Sequence, residues 1–76
     1  MLSKLPHLTG KELCRVLERL GFTYVRTTGS HALYQHVDGR QTVVPCHAGQ
    51  ELGPGLLLKI IKKDIRMNRD EFLKLL

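Results

Sequence analysis

Asp38-Gly39 is the feature that most restricts what this chain can fold into. It lies between two β-rich runs, 31–37 and 40–46. Both residue types accept positive φ, so the pair reads as a two-residue hairpin turn joining neighbouring strands. A third β-rich run, 22–27, precedes Thr28-Gly29-Ser30, which is again turn chemistry. Three short strands with tight connections make an antiparallel meander. Pro45 lacks an amide donor and therefore belongs on an edge or at a strand end.

Helices flank the meander. Thr9-Gly10-Lys11-Glu12 has the capping-box pattern, in which the Thr9 hydroxyl and the Glu12 carboxylate each satisfy an otherwise unpaired amide. Leu13, Val16, Leu17 and Leu20 follow at i, i+3, i+4 and i+7, and Gly21 supplies a left-handed stop. The first helix is therefore expected over about 10–20, after a short lead-in at 1–8. Beyond a loop at 47–53, Pro54 suits the first turn of a helix. Leu57, Leu58, Ile61 and Ile65 share one face of that helix, and Lys59, Lys62, Lys63 and Arg66 share another. Asn68 and Glu71 form a second capping-box pattern and open a C-terminal helix that Phe72, Leu75 and Leu76 would dock. The fold class is α+β, in the order α-β-β-β-α plus a terminal helix. The sheet has three antiparallel strands, and the helices cover one face. At 76 residues the whole chain, 1–76, is one domain near the lower size limit for an independent core. A large substrate should therefore lie across its surface.

The formal charge of +5 points to an anionic partner: nucleic acid, an acidic protein or a membrane surface. The membrane fits poorly. No apolar run approaches the roughly 20 residues of a span, the start lacks the apolar stretch of a signal peptide, and the apolar helix faces are needed to cover the sheet. Cys14 and Cys46 make no disulfide framework; they read as buried free thiols in a reducing cytoplasm. Lys59, Lys62, Lys63 and Arg66 have only Asp64 among them. Four such cations repel one another unless they form an ordinary solvated face or meet an anion. Arg26 and Arg40 add positive charge near the sheet. Phe22, Tyr24 and Tyr34 could stack bases, although half-buried sheet positions are the commoner use of such residues.

Gly29-Ser30-His31 places one histidine at the lip of this basic sheet. Histidine is the side chain whose unperturbed pKa, ~6.5, allows proton transfer at neutral pH. Gly29 and Ser30 allow a phosphate to approach the backbone or hydroxyl closely. A neutral imidazole can remove the 2′-hydroxyl proton of RNA, so that this oxygen attacks the adjacent phosphorus. A second group must then protonate the leaving 5′-oxygen; Tyr34, His36, His47 and a lysine are the candidates. Zinc is a weaker reading of His31, His36, Cys46 and His47, because their strand parity differs and no C-x-x-C or H-E-x-x-H pattern occurs. No metal or cofactor is expected.

Gly29-Ser30-His31, the strand ending at His36, Asp38-Gly39-Arg40, Val43-Val44-Pro45, His47-Ala48-Gly49 and Glu51-Leu52 occur in an order and spacing that resemble the HicA family of mRNA interferase toxins, from about Leu13 to Leu73. The resemblance implies a double-stranded-RNA-binding-domain-like fold, a metal-independent endoribonuclease acting on mRNA, and a HicB-like antitoxin that covers the catalytic surface. It carries the family's catalytic histidine onto His31, with Gly29 and Ser30 beside it. Ala32 stands where many members have a second histidine, and Gly53-Pro54-Gly55-Leu56 replaces the usual Pro-Lys-Gly-Thr. Two other classes of function stay open on the residues alone. One is a non-catalytic RNA-binding module of the same fold, and the other is a protein-interaction domain whose basic helix meets an acidic partner.

Overall fold

A computed structural model describes residues 5–76. The part of the expected lead-in at 1–4 lies outside the described residues. Leu8 is buried, and its carbonyl accepts a hydrogen bond from the Leu52 amide at 2.7 Å. The first helix, α1, spans Gly10–Arg19 and has the expected capping box: the Glu12 amide donates to the Thr9 hydroxyl, and the Thr9 amide donates to Glu12. Leu13 and Leu17 are fully buried on its inner stripe. Removing either side chain to alanine would cost about 2–5 kcal/mol.

Strands β1 (Thr23–Thr28), β2 (His31–Gln35) and β3 (Gln41–Pro45) form one antiparallel sheet in that order, with Pro45 ending its strand. Cross-strand partners share a face, and successive residues alternate. Ala32 and Tyr34 pair with Val44 and Thr42, and all four are buried under the helices. His31, Leu33 and Gln35 therefore look out of the opposite, open face. Between Tyr24 and Arg26 the register shifts by one residue, leaving Val25 as a bulge. Tyr24 opposite Tyr34 and Thr27 opposite Ala32 consequently share the inner face although they are three positions apart, and the Tyr24 hydroxyl lies 2.7 Å from that of Thr27.

The two turns exchange the roles expected of them. Thr28 pairs directly with His31, so Gly29-Ser30 is the two-residue hairpin loop, with Gly29 at φ +61°. Asp38-Gly39 lies instead in a three-residue loop. The His36 amide donates to the Arg40 carbonyl, the Gly39 amide donates back to His36, and only Gly39 has positive φ. That is the bulged three-residue hairpin in which a single glycine suffices.

The second helix also departs from expectation. Helix α2 covers only Pro54–Lys59, and Ile60–Ile65 continue it as a π-helical segment that ends at Arg66 with φ +62°. The wider i→i+5 turn brings Ile60, Ile61 and Ile65 together into the core, while Leu58, expected there, is only half-buried. The last helix, α3, covers Arg69–Leu73 with the Asn68–Glu71 capping box in place. Phe72 is fully buried and Leu75 packs against the core, whereas Leu76 is exposed. Among the described residues no helix is long and apolar enough to cross a membrane.

One contact joins α1 to the sheet through an absence. A β-carbon on Gly10 would collide with the Pro45 carbonyl oxygen, so only glycine lets α1 begin against the end of β3.

Candidate functional site

His31 opens β2 between Thr28 of β1 and Pro45 of β3. It is exposed on the open face, and its imidazole makes no hydrogen bond among the described residues. Arg26 pairs with Leu33, two residues along from His31 and on the same face, so Arg26 and His31 share that face. Gly29 is exposed, and a β-carbon there would meet no atom within 4 Å, so the turn leaves open space beside His31.

Of the four kinds of partner considered for His31, the fold brings a histidine, His47, and a lysine, Lys11, to this end of the sheet around one groove. The Cys46 amide donates to the Ser30 carbonyl at 2.7 Å, which holds the chain after β3 against the turn. Next along the chain, His47 Nε2 lies 3.1 Å from the Ser30 hydroxyl. Tyr34 is buried on the helix-covered face, and burial, together with a hydrogen bond to Cys14, pushes its phenol further above neutral pH. His36 belongs to the opposite end of the ladder. Its Nδ1 lies 3.1 Å from Asp38, and its ring packs edge-on against Phe22 at 5.1 Å between centroids.

The cations divide into separate groups. Arg40 is occupied within the fold: its Nε donates to Asp38 at 2.8 Å, Nη1 donates to the Ile65 carbonyl, and the guanidinium lies 5.2 Å from the Phe22 ring centroid. It thereby ties the β2–β3 hairpin to the end of the π-helical segment. Hydrogen bonds from the Arg40 backbone and side chain hold Asp38 below its ordinary carboxylate range. Lys59 is paired with Asp64 at 3.1 Å, and the same carboxylate accepts from the buried Thr42 hydroxyl at 2.8 Å. Lys62, Lys63 and Arg66 are exposed and make no ion pair among the described residues. These three stand in the helical layer, across the sheet from the His31 face. Lys59 belongs to α2, Lys62 and Lys63 to the π-helical segment, and Arg66 follows it with a left-handed backbone; all four are exposed.

Cys14 is buried and Cys46 half-buried; both are free thiols, with their sulfurs 3.7 Å apart. Desolvation pushes Cys14 up to about 11. No group of three His, Cys, Asp or Glu side chains is arranged to hold a metal among the described residues.

A small basic α-β-β-β-α domain with an uncommitted histidine at a glycine turn defines the class. The family model for the HicA toxin of bacterial toxin–antitoxin systems matches residues 10–65, and this chain belongs to that family. It is accordingly a toxin-family member with an antitoxin as partner. No curated protein matches the sequence.

Proposed function

We propose that this toxin is an endoribonuclease that cuts mRNA at His31 without a metal. The observation that carries this reading is the exposed, unbonded His31 imidazole at the Gly29-Ser30 turn, with Arg26 on the same face and His47 held by Ser30 alongside. His31 takes the 2′-hydroxyl proton, the 2′-oxygen bonds to phosphorus, and the bond from phosphorus to the 5′-oxygen breaks. We assign the protonation of that leaving oxygen to His47, held against Ser30. The products are a 2′,3′-cyclic phosphate and a free 5′-hydroxyl.

Arg26, Gly29 and Ser30 would contact the scissile phosphate. Lys62, Lys63 and Arg66, with Lys59 partly neutralised by Asp64, add attraction for RNA or contacts for a HicB-like antitoxin. Arg40 drops out of the RNA-contact set, because its guanidinium is already committed. Phosphate contacts of this kind bring affinity without sequence information.

The test is cleavage of a long single-stranded RNA by wild type and His31→Ala, in EDTA, with circular dichroism of both. Cutting by wild type alone supports the reading. Undiminished cutting by folded His31→Ala would overturn it. RNA binding without cutting by either protein would establish a non-catalytic binding module instead.

A further inference from the structure

The helical layer covers β2 and β3 but leaves the inner face of β1 open. There a groove of about 640 Å³ lies between α1, β1 and the chain after β3, lined by Tyr24, Thr27, Ala32, Tyr34, Cys46 and His47. The bulge at Val25 creates it: only with that extra residue do Tyr24 and Thr27 point inward together. We propose that this groove, on the helix side of the sheet and joined to the His31 turn around the Ser30–His47 edge, holds an unpaired nucleobase of the RNA strand; the proposal rests on the ribonuclease reading above.

Three observations point to a base as the occupant. Tyr24 is 49% exposed, and it meets Tyr34 edge-on, with centroids 5.7 Å apart and the planes 66° from parallel. A half-exposed aromatic ring at the mouth of a groove is the kind of surface on which single-stranded bases stack. The groove is continuous with the candidate site, since His47 both lines it and contacts Ser30. Lys11 also lines it, placing an ammonium where the backbone of a bound strand would run. The volume falls in the range of small-ligand sites. Thr27 and the Tyr24 hydroxyl offer hydrogen bonds to a base edge beside the apolar floor of Ala32.

Cys46 supplies a readout independent of cleavage, because its half-buried thiol lines the same groove. His31→Ala would be saturated with a short single-stranded RNA, treated with iodoacetamide, and Cys46 alkylation followed by peptide mass mapping. Bound RNA should slow alkylation at least fivefold, and an abasic oligonucleotide bound to saturation should not. Saturating RNA that leaves Cys46 as reactive as in the free protein would overturn the groove while leaving RNA binding intact. Failure of any RNA to bind would overturn the ribonuclease reading, and the groove assignment with it. As a second measurement, folded Tyr24→Leu should bind the oligonucleotide about tenfold more weakly, with Tyr24→Phe restoring most of the affinity. Wild-type affinity in Tyr24→Leu would also sink the assignment.

Discussion

The two ends of the β2–β3 ladder each combine a glycine at positive φ with a histidine, and they use them in opposite ways. At the hairpin end, Gly39 closes a loop in which His36 meets Asp38 and Phe22, while Arg40 binds Asp38 and the Ile65 carbonyl. The fold consumes the polar groups there. At the other end, Gly29 turns the chain beside His31, whose ring nitrogens bind nothing within the described residues, and His47 reaches only Ser30. A histidine whose ring is packed and bonded contributes to stability. One that is exposed, on a strand paired from both sides, is held in place by its backbone and keeps its nitrogens for an incoming molecule.

Paired substitutions would break this division most directly. His31→Ala is expected to lower RNA cleavage by about 10²–10⁴-fold, the usual scale of a general acid–base group, with no change in thermal midpoint. His36→Ala should do the reverse, costing about 1 kcal/mol of stability from the lost edge-on ring contact and leaving cleavage per folded molecule unchanged. Equal losses of cleavage in the two variants would erase the distinction. Arg40→Ala should destabilise by about 2 kcal/mol in denaturant melts, because the Ile65 carbonyl loses a charged donor, again without a cleavage defect in the folded protein.

The glycines sharpen the comparison. Neither Gly29 nor Gly39 would bring a β-carbon within 4 Å of any atom, so alanine at either position costs only backbone strain, about 1 kcal/mol. Gly29→Ala alone should also slow cleavage severalfold, since it shifts the turn beside His31. The smallest effect is on pH. Asp38 sits below its ordinary carboxylate value in the fold, so its stabilising contribution is complete above about pH 4 and is lost as pH falls through the folded value. Acid titration of Asp38→Asn against wild type should therefore show a slightly flatter stability profile below pH 4.

Local patterns that depend on neighbours in sequence were legible from the residues. Both capping boxes, the stripe on α1, the strand order, the terminal Pro45 and the exposed position of His31 follow from spacing and residue type. Features set by tertiary packing were not. Spacing puts Leu58 in the core, whereas Ile60, three residues after the buried Leu57, takes that position at the start of the π turn. The bulge at Val25 breaks the two-residue alternation that would have separated Tyr24 from Thr27. The position of His47 beside Ser30, set by the Cys46–Ser30 hydrogen bond, is a tertiary feature that spacing does not carry. Arg40 looked like any sheet cation, and only the fold shows that its charge is spent on Asp38 and on the end of a helix.

Gly10 links the first turn of α1 to the far side of the candidate site. Its hydrogen, in place of a methyl, sets how closely the helix can approach Pro45, and Pro45 is two residues from His47 and the cross-strand partner of His31. The seat of the helix on the end of β3 is thus gauged by an atom that is not there. Any side chain at position 10 would act as a shim, prying strand from helix, so that a change at the first turn of α1 is felt at the strand end that pairs with His31.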